Sequence, residues 1–269
     1  MIDSHVLASK FQKIGARLEL GEPGRRRARP DSISFDVRSD REGEYFAVEV
    51  GRLADSVEVE VLDVRPADRH LLVLVREGAA KSKFLCGHDE RHWFVAAIPE
   101  AAPVGTVPAA KEALKPPQVI ATQARLGLGA AARNRRKNAA YRRQGEWFFL
   151  PEPAFRVDPK LVLRDEPMTR GTGSKPHRVE FLYREGGEAV YTSRLHPHVL
   201  TSREYRRLLS RRPDTKNWGW TLMRRNPDVY ARGRIRHADH DTITLHDSHR
   251  VLMNTENQAR AMRHVAFLD

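Results

Sequence analysis

Leu71 to Val75 is an unbroken apolar run of five residues, Leu-Leu-Val-Leu-Val. It is too short for a buried helix and rich in branched side chains. Such a run predicts a central strand covered on both faces. The segments before it alternate instead. Ile33, Phe35 and Val37, then Phe46, Val48 and Val50, then Val57, Val59 and Val61 occupy every second position, the period of a strand with one buried face. Trp93 to Ile98 predicts a further strand, ending at Pro99. Upstream, Leu7, Phe11, Ile14 and Leu18 fall on one helical stripe with Ser4 as cap and Gly21 as stop. That stripe predicts a helix over 5–20. The expected fold class is α+β, beginning with an N-terminal helix plus a mainly antiparallel sheet over 1–105.

A connector over 106–145 follows. Pro103, Pro108, Pro116 and Pro117 punctuate its start, with a short helix expected between them near Ala109 to Leu114. Residues 122–143 then carry Arg125, Arg133, Arg135, Arg136, Lys137, Arg142 and Arg143 and no acidic residue. Interleaved alanines predict a basic helix there. Residues 146–269 read as a second, mixed α/β module. Trp147, Phe148 and Phe149 predict a strand, and Phe181 to Tyr191 a hairpin turning at Gly186-Gly187. Thr201 with Glu204 predicts a capped helix to about Leu209. Val229–Arg236 and Thr242–His246 predict strands, and Thr255 with Gln258 a last capped helix reaching His264.

Charge separates these regions. The chain holds 47 basic and 35 acidic residues; residues 1–100 hold 16 and 18 of them, which leaves 31 and 17 for the rest. A near-neutral part joined to a strongly basic part predicts contact with a polyanion, nucleic acid above all. Docking on an acidic protein within a larger nucleoprotein complex is the other partner the charge allows.

The residues expected to meet nucleic acid lie in three places. Arg133, Arg135, Arg136, Lys137, Arg142 and Arg143 belong to the basic connector. Lys175 lies in a glycine-rich loop, Arg170 to His177, that lacks the spacing of a nucleotide-binding P-loop. The stretch 203–236 adds Arg206, Arg207, Arg211, Arg212, Arg224, Arg225, Tyr230, Arg232, Arg234 and Arg236, with Tyr205, Trp218 and Trp220 among them. Rings beside arginines suit RNA or single-stranded DNA, because bases stack while phosphates pair. In 229–236 the alternation puts Tyr230, Arg232, Arg234 and Arg236 on one face and Val229, Ala231, Gly233 and Ile235 on the other. Trp218 and Trp220 are read equally well as core residues.

Two histidine clusters are candidates for catalysis. His88 and Glu90 lie in Cys86-Gly87-His88-Asp89-Glu90-Arg91-His92, between apolar strands, where Asp89, Glu90 and His92 could act as an acid/base set. Asp239 and His240 end a strand-like segment, Asn254 follows 14 residues later, and His264 comes at the end of the last expected helix. This order of His, Asn and His resembles the HNH nuclease motif. The resemblance implies that His240 activates water and that His237, His240 and His264 hold a divalent metal, Mg or Mn, at the scissile phosphate. Nucleic-acid binding itself requires no cofactor.

Other classes are set aside. There is one cysteine, Cys86, which permits neither an internal disulfide nor a multi-thiolate zinc site. No Gly-x-Ser-x-Gly elbow is present. No apolar run approaches the ~20 residues of a membrane span, and Met1 to Glu22 lacks an apolar stretch of signal-peptide type. The expectation is a cytoplasmic protein without a membrane partner.

Overall fold

The computed structural model describes residues 4–21, 33–50, 57–170 and 175–259. It is a mixed α+β structure dominated by strands in several mostly antiparallel sheets. The chain divides into two compact units. The first takes the chain to Phe148 together with Asp239–Asp241 and the segment beginning at Met253; the second takes Phe149–Ala238 and Thr242–Leu252. Residues 106–145 lie in the first unit.

The first unit opens with helix α1 (Ser4–Gln12), shorter than the stripe predicts. Gly15 takes φ 76° and the Ala16 N–H donates back to the Phe11 carbonyl at 3.1 Å. That left-handed closure ends a helix and needs a glycine. Leu18, expected on the helix, instead begins strand β1 (Leu18–Gly21). β1 runs parallel to β3 (Gly43–Val50), which pairs antiparallel with β2 (Ile33–Asp40).

A four-stranded meander follows: β4 (Val57–Arg65), β5 (His70–Glu77), β6 (Ala80–Asp89) and β7 (His92–Ile98). β5 is the doubly covered strand. Leu71, Val73 and Val75 face a core with Leu7, Phe11, Ile14 and Phe46, whereas Leu72 faces one with Leu85, Ile98, Val107 and Ala110. β6 escapes sequence reading because it opens on Ala80-Lys81-Ser82-Lys83, a polar start, before Phe84, Leu85 and Cys86.

Helix α2 (Val107–Ala113) forms where a short helix is expected, its N-terminus capped by Thr106. The continuous helix over 122–143 does not form. α3 (Pro117–Arg125) ends at a left-handed Gly127, α4 (Ala130–Arg133) is one turn, and β8 (Arg142–Gln144) is extended. Between them Asn138 Oδ1 accepts from the N–H groups of Ala140 and Tyr141, a local alternative to helix. Tyr141 is buried and its hydroxyl donates to the Arg133 carbonyl.

The second unit begins within β9 (Trp147–Pro151). Its larger sheet runs in the order β10 (Leu163–Met168), β11 (His177–Glu185), β15 (Asp228–Arg236), β16 (Ile243–Met253), with β9 beyond β16. A smaller sheet has the order β13 (His196–Thr201), β12 (Glu188–Ser193), β14 (Thr221–Arg225), with helix α5 (Ser202–Arg211) against it. The hairpin expected at Gly186-Gly187 is therefore absent. Both edges of β11 are taken by β10 and β15, and both edges of β12 by β13 and β14, so the two glycines pass the chain between sheets. The Thr201–Glu204 capping box of α5 is formed in both directions. After β16 the expected capping box is not: Asn254 caps a short 3-10 helix over Thr255–Gln258, and the Thr255 hydroxyl donates to the Ala113 carbonyl instead. Residues 171–174 of the glycine-rich loop and His264 lie outside the described residues. Among the described residues no helix is long and apolar enough to cross a membrane.

Candidate nucleic-acid interface

The larger sheet of the second unit carries an aromatic and arginine face set by strand register. Arg164 on β10 stands opposite Phe181 on β11, which stands opposite Arg232 on β15. One step along, Tyr183 on β11 stands opposite Tyr230 on β15. Successive side chains of a strand alternate faces, so Phe181 with Tyr183, and Tyr230 with Arg232, share a side. The guanidinium carbons of Arg164 and Arg232 lie 5.3 and 5.4 Å from the centre of the Phe181 ring, within cation–π range. Beneath, Leu182, Ala231 and Ile235 are buried. The expected division of β15 into an apolar side and a Tyr/Arg side is present, with Arg232, Arg234 and Arg236 exposed.

A bulge between Ala231 and Gly233 shapes this face. Gly233 has φ 83°, and a Cβ there would meet Glu180 Oε2 at 2.8 Å and the Phe181 ring at 3.0 Å. Glu180 in turn accepts from the Arg234 N–H at 2.8 Å and its Nε at 3.2 Å. These hydrogen bonds hold the Glu180 carboxyl below its ordinary range. Arg234 is thus engaged, and Arg236 pairs with Asp165. Arg164 and Arg232 form no ion pair among the described residues. Phe155, from the segment after β9, lies flat on Tyr230 with centroids 3.7 Å apart and planes 5° from parallel.

The smaller sheet carries a second set. Tyr191 stacks on Tyr205 of α5 at 3.9 Å, and Tyr205 meets Trp220 edge-on at 5.2 Å. Trp220 donates its indole N–H to the Thr215 carbonyl at 2.8 Å, and Arg212 lies 5.3 Å over Trp218. Both tryptophans are half-buried, sharing in the packing beside α5. Around them α5 exposes Arg203, Arg206, Arg207 and Arg211. The one acid on that helix, Glu204, is taken by the cap, accepting from the Thr201 N–H and hydroxyl at 2.8 Å. None of the four arginines is ion-paired among the described residues. Arg212 pairs with Asp214 at 3.6 Å, Arg225 with Glu188, and Arg224 donates to the Gly186 carbonyl. Lys175 is exposed, and His237 stacks on the buried His177 at 4.2 Å.

The connector's arginines fare differently. Arg135 and Lys137 are exposed. Arg133 instead pairs with Glu112 at 3.3 Å, Arg143 with Asp89 at 2.8 Å, and Arg136 with both Asp89 and Glu90. These three expected phosphate contacts are turned onto the protein's own acids.

Asp89 and Glu90 belong to one of the two candidate catalytic clusters, and the first unit brings that cluster to Asp239 and His240 of the other. Glu90 sits in the two-residue turn between β6 and β7 with φ 53°. Its Oε2 lies 3.1 Å from His240 Nδ1 and accepts from the Asp241 N–H at 2.9 Å. Arg91 pairs with Asp241 at 2.6 Å, and Gln144 donates to the Asp241 carbonyl at 2.6 Å. His92 Nδ1 is 2.6 Å from Glu44 and its Nε2 3.9 Å from Asp239. His88 packs edge-on against Trp93 at 4.9 Å. Burial lowers the His240 pKa, with Asp89 and Glu146 opposing; a carboxylate only accepts, so Nδ1–H donates to Glu90. Burial raises the Asp89 pKa, but Arg143 and Arg136 outweigh it and hold the carboxyl below its ordinary range. Two carboxylates facing two guanidiniums are balanced as they stand. A divalent cation among Asp89, Glu90 and His240 would have to displace those arginines, so this donor set does not fit one.

No protein family, curated protein or solved structure matches this chain.

Sequence reading missed Phe155, Arg164, Phe181 and Tyr183. The alternation Phe181-Leu182-Tyr183 on a strand carries the same signal as Tyr230–Arg236. Pairing the two strands needed the register.

Proposed function

We propose that the protein binds single-stranded nucleic acid through the second unit, with no catalytic step of its own. The observation that carries this reading is the register of β10, β11 and β15. It sets Phe181 between Arg164 and Arg232, with the Tyr183–Tyr230 pair in the next row of the same face. Unpaired bases need aromatic planes, and the backbone between them needs cations spaced along the same surface. The unpaired arginines of α5 extend the cationic surface. RNA and single-stranded DNA meet these requirements alike; duplex bases are stacked away from such a face.

The test is a fluorescence-anisotropy titration of the protein with labelled single-stranded RNA, single-stranded DNA and duplex DNA over a range of salt. Binding to single strands that weakens steeply with salt, by about 0.7 log units per log unit for each phosphate contacted, is expected. It should exceed duplex binding and need neither Mg nor Mn. Absence of binding at low salt overturns the reading and points to an acidic protein as the partner of the basic surface. Shortening of the labelled strand in the presence of a divalent cation overturns the non-catalytic part.

A further inference from the structure

Beside the Phe155–Tyr230 stack the second unit has a pocket of about 410 Å³, within the size range of sites for small organic ligands. Its walls include the rings of Phe155, Phe181, Tyr183 and Tyr230, and arginines from two directions. Arg164 and Arg232 come from the sheet. Arg156 comes from the segment after β9, where its guanidinium donates to the Phe155 carbonyl at 3.0 Å. The exposed His246 and half-buried Ser248 stand on a further wall. Rings, guanidiniums and hydrogen-bonding groups, with the one carboxylate of Asp247 among them, thus line one half-open volume.

We propose that this pocket holds a single unpaired nucleotide of the bound strand. Its base packs against the Phe155–Tyr230 stack, its phosphate meets Arg156, Arg164 and Arg232, and the base edge faces His246 and Ser248. The proposal rests on the reading of this unit as a single-strand binding surface and goes beyond it. A flat sheet face stacks bases in passing, whereas a half-open pocket takes one base out of the run. The chemistry fits a nucleotide in three respects. A base has two π-faces for the rings, edge donors and acceptors for the imidazole and hydroxyl, and an attached anion for guanidiniums that have no carboxylate partner among the described residues. An apolar ligand would leave the arginines unused, and a bare phosphate would leave the rings unused.

The experiment uses short single-stranded oligonucleotides carrying 2-aminopurine at each position in turn, a base whose fluorescence is quenched by stacking. On the whole protein, one position should be quenched more than its neighbours. Tyr230→Leu should abolish that quenching and weaken binding roughly 5- to 150-fold, the range for loss of one base–aromatic stack. Tyr230→Phe, which keeps the ring, should retain both, and thermal melting of the two variants establishes that the fold is kept. A nucleoside 5′-monophosphate should compete for the quenched position better than the nucleoside, and Arg232→Gln should narrow that difference. If no oligonucleotide binds, the surface reading falls and the pocket with it. If oligonucleotides bind with salt dependence but no position is selectively quenched, or Tyr230→Leu quenches as the parent does, the pocket proposal alone is overturned.

Discussion

Glu90 and His240, 150 residues apart in sequence, meet at 3.1 Å in the first unit. Glu90 serves His240, the Asp241 N–H and Arg136 at once, from a backbone conformation that costs a non-glycine residue about 1–2 kcal/mol. The interactions therefore hold the strain in place. Glu90→Ala keeps the strain and removes the carboxylate, leaving Arg136 and His240 short of a partner; a loss of about 3 kcal/mol is expected. Glu90→Gly removes the carboxylate and the strain together, so it should be the milder change by about 1 kcal/mol. Urea unfolding of both variants followed by Trp fluorescence checks the order. An alanine variant as stable as the glycine variant would show that the turn is unstrained.

This cluster also shows where sequence legibility ends. Both of its halves were visible as candidate acid/base groups, because histidines and carboxylates crowd 86–92 and 237–249. Their pairing was not, since nothing local relates positions so far apart. The arginines show the same limit. Arg133, Arg136 and Arg143 sit in a run without local acids, yet their partners Glu112, Asp89 and Glu90 come from other elements. The alternating strands and the α5 capping box were legible because their causes lie within a few residues. β6 was hidden by a polar beginning, and the hairpin at Gly186-Gly187 was lost to strand partners that local spacing does not reveal.

His70 should make the first unit acid-sensitive. Burial pushes its pKa down from 6.5 to about 4, with Lys111 adding to the effect and the Asp68 carbonyl opposing it. A depressed folded-state value means that the unfolded chain takes up the proton first. The neutral ring's contribution is complete above pH 6.5 and is lost as pH falls toward 4, on the order of 3 kcal/mol in all. Unfolding free energy measured across that window should fall with pH, and His70→Phe should flatten the slope. A parent protein equally stable at pH 4.5 and 7 would contradict this.

The same ring forbids a side chain at Gly87. A Cβ there would lie 2.4 Å from His70 Cδ2 and 2.7 Å from its Nε2. His70 is held by the Asp68 carbonyl and packs edge-on to Phe94 at 5.5 Å, so it has little room to move. Gly87→Ala should therefore destabilise by about 1–3 kcal/mol, the usual cost of overpacking. Gly87→Ala combined with His70→Ala should recover part of the loss, which a double-mutant cycle in urea would measure. Without that coupling the close approach is not the cause.

The arginines of α5 are set apart from Arg133, Arg136 and Arg143 of the connector by their lack of acidic partners among the described residues, and that difference is measurable. Replacing Arg203, Arg207 and Arg211 with glutamine removes charges spaced one helical turn apart on an exposed surface, so thermal stability should change by less than about 1 kcal/mol in total. If these charges meet phosphates, the salt slope of single-strand binding should fall by up to about 0.7 per residue and affinity at low salt should drop. The matched control is Arg136→Gln with Arg143→Gln. Those arginines face Asp89 and Glu90, and their loss should lower stability while leaving the salt slope unchanged. The reverse pattern, a salt slope that follows the connector and ignores α5, would move the nucleic-acid surface to the first unit and require Asp89 and Glu90 to release their partners on binding.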